Sequence, residues 1–306
     1  MSSNKKRGYQ MTVNQKDIEA AKVLHDLFKE GDDKRDAGLP REIPEVERFD
    51  DISYGPKEKW NLLDIYLPKV HAETIPTIIN IHGGGWVYGS KETYQFFGLS
   101  LAKNGFAFIN FNYQLAPEVE FPGELDDVNR AMHWVAEHGR DYHLDLEHVF
   151  IIGDSAGGQM AVQYLTILTN DDFRQKFGYE KPNFTVRAAA INCGASFITL
   201  PGIIEGAPKA YFTEDVLQHK MDMLLTEHYI TSDLPPLLLT TANQDFIRDC
   251  TIRLDGFLLA KNIEHELRSY GTPEDPRAHV FNYNVKDPLA TTCNLEIINF
   301  FKRYIP

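Results

Sequence analysis

The stretch Phe150–Gln159, FIIGDSAGGQ, wedges a serine between small residues directly after an apolar run. VFII (149–152) reads as a buried strand and GGQMAVQYLTILT (157–169) as a helix, so Ser155 falls on a strand-to-helix turn. A turn that sharp accepts only small residues two positions either side of the serine, here Gly153 and Gly157. It projects the Ser155 hydroxyl above the sheet edge, at a helix N-terminus whose dipole favours nearby negative charge. A glycine-rich turn with serine as an ordinary N-cap would read the same way, and a bare G-x-S-x-G is common by chance. The rest of the chain has to decide.

Working outward, the runs TIINI (77–81), FAFINF (106–111), AAAINC (188–193), PLLLTT (236–241) and HELRSY (265–270) read as further strands. Two more lie around DDISYG and NLLDIYLP. VNRAMHWVAEH, CTIRLDGFLLAKN and a last segment near NLEIINFFKRY read as helices between them. Strands alternating with helices predict an α/β fold with a mostly parallel sheet covered on both faces. QKDIEAAKVLHDLFKEG adds an N-terminal helix, with Gly31 as its stop. One segment breaks the alternation: an amphipathic helix near 213–228, capped by Thr213, sits between the strands at 188–193 and 236–241. The expectation is a single domain over 1–306, with a helical cap formed by about 1–45 and about 196–235.

INIHGGGWVYGS places His82, Gly83, Gly84, Gly85 and Trp86 directly after the strand at 77–81. Consecutive glycines leave backbone N–H groups unobstructed, as stabilising an oxyanion requires. Gly83, Gly84 and Ala156, the residue after the serine, are the expected donors. His82 reads as a structural hydrogen-bonding residue, since no second ligand lies at zinc spacing. A serine hydroxyl also needs a histidine base held by a carboxylate, in the chain order Ser, Asp or Glu, His. His265 sits inside a strand-like run, whereas His279 lies in the loop after it, where a catalytic side chain projects. Asp245 follows the strand at 236–241 in a loop. Asp249 fits better as a cap or first-turn charge of the next helix.

The motifs HGGGW, NYQLAPE (112–118), FP (121–122), GDSAGG, NQDFIRD (243–249) and AHVF (278–281) occur together over about 200 residues. In that order they resemble the α/β-hydrolases of the hormone-sensitive-lipase-like group of bacterial esterases and lipases. The resemblance implies an α/β-hydrolase fold and a catalytic triad of Ser155, Asp245 and His279. It also implies hydrolysis of short- to medium-chain acyl esters. Gln114 stands where the family has arginine, which removes a local ion pair. Val280 follows His279 where the family has glycine, after the long loop GTPEDPRA. The run LLDIYLP also resembles relatives that deacylate acetylated or feruloylated sugars, and amidase or aryl-formamidase chemistry would use the same residues. Plant hormone receptors share the fold without turnover but lack the catalytic histidine, which is present here. Trp86, Met221 and Leu225 are the expected walls of the acyl pocket.

Composition agrees with a small-molecule ester substrate. Of 306 residues, 44 are acidic and 31 basic, and the net charge of -13 argues against a nucleic-acid partner. No apolar run approaches the roughly 20 residues that membrane insertion needs. No apolar segment follows the basic start MSSNKKRGYQMT, so no signal peptide is expected. Three scattered cysteines suggest no disulfide framework and a cytoplasmic setting. Metal and cofactor fingerprints are missing, so none is expected; a homodimer is left open.

Overall fold

The computed structural model describes residues 13–306. Its helices are α1 (Gln15–Asp36), α2 (Lys91–Ala102), α3 (Gly123–His138), α4 (Ser155–Thr169), α5 (Asp171–Phe177), α6 (Glu214–His219), α7 (Met221–Leu224), α8 (Arg248–Ala260) and α9 (Pro288–Lys302). Its strands are β1 (Val46–Ser53), β2 (Leu62–Pro68), β3 (Ile75–Ile81), β4 (Ala107–Phe111), β5 (Leu144–Asp154), β6 (Val186–Asn192), β7 (Leu237–Ala242) and β8 (His265–Tyr270). They form one eight-stranded sheet in the order β1-β2-β4-β3-β5-β6-β7-β8. Only the β1–β2 and β2–β4 pairings are antiparallel; the rest run parallel. This is the α/β-hydrolase architecture that the alternation predicts.

Side chains of a strand alternate between faces, and both faces here are buried. Ile79, Val149 and Ile151 enter one core with Leu125 and Val128 of α3, Met160 and Leu165 of α4, and Leu254 of α8. Ile78, Phe150 and Ile152 enter the other with Phe97 of α2 and Ile297 and Phe301 of α9. Continuous apolar runs such as FII are therefore what this sheet demands. Every parallel strand points its C-terminal end to one edge, where β3, β5, β7 and β8 release the loops that carry the site.

Several expected boundaries move. α1 continues through Gly31 to Asp36 because ion pairs lace its last turns: Lys29–Asp33 at 2.6 Å, Lys34–Glu30 at 2.5 Å and Arg35–Asp32 at 2.7 Å. Together they offset the roughly 1 kcal/mol that an interior glycine costs. The single helix expected near 213–228 is broken. Thr213 does cap it, accepting the Val216 N–H at 3.2 Å, but α6 stops at His219 and α7 restarts at Met221. Lys220, between them, is turned onto the Phe121 carbonyl at 2.8 Å. α2 has no counterpart in the sequence reading, although Ser90 caps it by accepting the Thr93 N–H. Its dense run of buried aromatic and aliphatic residues hides the helical period.

α1 lies across the loop after β3. His25 and Phe28 meet Tyr88 edge-on, with ring centroids 5.3 and 5.9 Å apart, and a side chain at Gly85 would meet Leu24 at 3.3 Å. The first twelve residues of the expected cap segment, which include the basic start, lie outside the described residues. No helix among the described residues is long and apolar enough to cross a membrane.

Candidate active site

Ser155 has φ 50°, in the left-handed region, which is strained for a residue with a side chain. The turn tolerates nothing larger than glycine on either side. A Cβ at Gly153 would sit 2.4 Å from the Gly157 carbonyl oxygen, and one at Gly157 would sit 2.1 Å from that of Ile81. The serine is thus an elbow residue and not an N-cap; the preceding Asp154 is the cap position.

His279 and Asp245 arrive from neighbouring strand ends. His279 Nε2 lies 2.9 Å from Ser155 Oγ, and His279 Nδ1 lies 2.6 Å from Asp245 Oδ1. Asp245 is fixed in turn, accepting the Thr241 hydroxyl at 2.9 Å and the Ile247 N–H at 3.1 Å. Burial raises the Asp245 carboxyl, but the hydrogen bond and charge of His279, with those two donors, hold it below its ordinary value. Asp249 turns away, with a side chain 63% exposed and paired to Arg253 at 3.3 Å.

The long loop before His279 is well anchored. The Arg277 N–H donates to Asn243 Oδ1 at 2.9 Å, and Asn243 Nδ2 donates to the Thr272 carbonyl at 2.9 Å. The Arg277 guanidinium grips Asp287 at 2.6 and 3.1 Å. Val280, where the family has glycine, adopts φ 48° and donates its N–H to Cys193 Sγ at 3.4 Å. Gln114 itself forms no ion pair among the described residues, as its identity implied. Its N–H donates to Asp127, whose carboxylate pairs with Arg130 and, at 3.8 Å, Lys57.

The expected oxyanion donors need one correction. The Gly83 N–H is already engaged, donating to Asp154 Oδ1 at 2.9 Å and lying 3.0 Å from the Tyr94 hydroxyl. The N–H groups of Gly84, Gly85 and Ala156 have no acceptor among the described residues. The available trio is therefore Gly84, Gly85 and Ala156, and Gly83 serves as the clamp that holds the loop to the elbow. Burial pushes the clamping Asp154 carboxyl up to about 6, against the hydrogen bonds from Tyr94 and Gly83. The clamp was legible in part, since Asp154 stands inside GDSAGG; its partner Tyr94 gave no signal. His82 is structural, stacked on Tyr113 at 4.0 Å between ring centroids. Complete burial lowers its imidazole to about 4.

A cavity of about 20 Å³ opens one helical turn from Ser155, walled by Gln159, Val162, Ser196, Leu224, Ile230 and Leu254 among others. Ala195, beside Ser196, donates its N–H to the Ser155 carbonyl at 3.0 Å. Neither Met221 nor Leu225 lines it. Met221 is 38% exposed, and the break at Lys220 turns Leu224 inward in their place. Trp86 is buried, packed edge-on against Phe212, and forms no part of this wall.

Cys193, Asp245 and His279 offer ligand atoms within 4.8 Å of one another. Burial pushes the Cys193 thiol well above its ordinary value, so it presents no thiolate. Both ring nitrogens of His279 are also engaged. The chemistry of this donor set is a hydrogen-bonded triad and not a metal cradle.

The BD-FAE family model matches residues 63–250, more than half of the chain. The chain belongs to the BD-FAE family. It is a hydrolase of the hormone-sensitive-lipase-like α/β type. Esterase B of Lactobacillus rhamnosis, solved with a tributyrin phosphonate inhibitor, superimposes with a TM-score of 0.87 at 26% identity, covering 94% of this chain and 95% of that one. The carboxylesterase NlhH of Mycobacterium tuberculosis is 25% identical over 225 residues, 68% of each chain. Esterase LipQ of the same organism is 33% identical over 152 residues, 49% of this hydrolase but 36% of LipQ.

Proposed function

We propose that this carboxylic ester hydrolase works as a serine carboxylesterase on short- to medium-chain acyl esters, through an acyl-enzyme. The observation that carries the reading is the unbroken line Ser155–His279–Asp245, with contacts of 2.9 and 2.6 Å beneath three unpartnered N–H groups. Ser155 Oγ attacks the ester carbonyl as its proton passes to His279 Nε2. Asp245 holds the imidazole by Nδ1–H and stabilises the imidazolium. The Gly84, Gly85 and Ala156 N–H groups receive the tetrahedral oxyanion. Collapse breaks the bond to the alcohol oxygen, which takes the proton from His279 Nε2. Water then repeats the sequence on the acyl-enzyme, releasing the acid and restoring Ser155.

The tributyrin-derived inhibitor of the Lactobacillus enzyme supports a short acyl group. α1 and the segment 196–235 act as the cap over this site; the packing of α1 on both the oxyanion loop and residues 207–210 favours it. Three free, buried cysteines suit a reducing, cytoplasmic setting.

The decisive experiment pairs mutation with labelling. Ser155→Ala should lose at least ~10³-fold in kcat while remaining folded. An alkyl phosphonate ester should add its mass to the peptide containing Ser155. Label on another residue, or near-normal turnover by the alanine variant, overturns the mechanism.

A further inference from the structure

Three hydrogen bonds run in one direction from the oxyanion loop to the cap. Trp86 Nε1–H donates to Gln159 Oε1 at 3.2 Å, Gln159 Nε2 to Gln163 Oε1 at 2.7 Å, and Gln163 Nε2 to the Met223 carbonyl at 2.7 Å. Indole only donates, so Gln159 must turn its oxygen to Trp86 and its nitrogen onward. The same logic then orients Gln163 and requires a carbonyl at the far end. The Met223 oxygen supplies it.

These amides are costly to place here. Gln159 is 5% and Gln163 0% exposed, on a helix whose neighbouring positions are almost all buried. They stand four residues apart, on one face of α4. A leucine pair would fill that space without needing any partner, whereas buried amides persist only when satisfied. The two ends of the chain are what give it meaning. Trp86 directly follows Gly85, a donor to the oxyanion, and Met223 directly precedes Leu224, a wall of the cavity. Gln159 itself is another wall.

We propose that Gln159 and Gln163 are positioning residues that tie the oxyanion loop to the cap, so that an acyl group seated against Leu224 and Gln159 sets the Gly84 and Gly85 donors. The inference rests on the serine-esterase reading above. Gln163 touches neither the cavity nor the triad, and at eight residues from Ser155 it lies roughly 12 Å along the helix. A loss of turnover on changing it therefore travels through the chain of bonds. The cap has independent anchors, such as Asn170 Nδ2 on the Tyr229 carbonyl at 2.9 Å and Phe173 stacked on Tyr229 at 4.4 Å. Breaking the relay should therefore leave the cap attached but the donors misplaced.

The test compares Gln159→Met, Gln163→Met and the double variant on p-nitrophenyl butyrate, with near-ultraviolet circular dichroism as the check on folding. Each single variant should lose about tenfold in kcat with KM within about twofold, a partial loss of the 10²–10³ that removing a whole oxyanion donor costs. Inactivation by an alkyl phosphonate should slow in parallel. The double variant should be no slower than either single one, because a relay already cut cannot be cut again. Normal kcat in folded single variants, or losses that multiply in the double variant, overturns the proposal. Should a methionine variant fail to fold, Gln163→Glu decides. Buried at this position its carboxyl stays protonated, so it still accepts from Gln159 and donates its O–H to the Met223 carbonyl; kcat should stay within about twofold of wild type, and a tenfold loss in the folded variant refutes the coupling. Phosphonate labelling of wild-type Ser155 keeps this outcome separate from any failure of the serine mechanism.

Discussion

Asp245→Asn tests the triad where its geometry is most specific. Asp245 Oδ1 faces two donors, His279 Nδ1–H and the Ile247 N–H, while Oδ2 accepts from the Thr241 hydroxyl. An asparagine must place its NH2 on one of these sides. Toward His279 and Ile247 it would oppose a backbone donor, whereas toward Thr241 the hydroxyl can rotate to accept. The variant is therefore expected to keep its oxygen on His279 and preserve the imidazole tautomer. What it loses is the negative charge opposite the imidazolium. At charge centres about 4 Å apart and an effective dielectric near 20, that attraction is about 4 kcal/mol, or roughly 10³-fold in kcat. Removing the Thr241 acceptor as well, with Thr241→Val, should take away the favoured orientation and deepen the loss about tenfold further. Steady-state kinetics on a p-nitrophenyl ester read both numbers. Asp249→Asn, at an exposed ion pair, should leave kcat unchanged. Retention of a tenth or more of wild-type kcat by Asp245→Asn would refute the triad acid, and so would selective inactivation by Asp249→Asn.

Filling the cavity should retune acyl preference: Leu224→Trp is expected to raise the kcat/KM ratio of acetate over hexanoate esters about tenfold, whereas exposed Met221→Trp leaves it unchanged. The opposite pattern in the chain-length profile would move the acyl pocket to Met221. The Asp154 clamp predicts a pH effect. Its carboxyl keeps a proton up to about 6 in the native state against 3.8 ordinarily, so the native state binds more protons between those values. Its contribution to stability accordingly falls as pH rises through that window. Asp154→Asn should flatten the fall, as read by urea midpoints at pH 4 and pH 6.5. Parallel slopes for the two proteins would mean that another group titrates.

Sequence alone determined the frame because its signals are local. Strand and helix periods follow from which faces must be buried, and the serine corner follows from the space a sharp turn leaves at Gly153 and Gly157. The order Ser155, Asp245, His279 was also legible, since each follows a run that reads as a strand of this sheet. Tertiary structure decided what depends on partners distant in the chain. Gly83 and Gly85 look alike in HGGGW, and only the arrival of Asp154 and Tyr94 uses up the Gly83 N–H and leaves Gly85 free. An apolar stripe at helical spacing suggested Met221 and Leu225 as pocket walls. The pull of Lys220 onto Phe121 breaks that helix and presents Leu224 in their place. Gln159 and Gln163 carry no pattern a sequence could reveal, because a buried amide acquires its role only from the donor and acceptor the fold brings to either end.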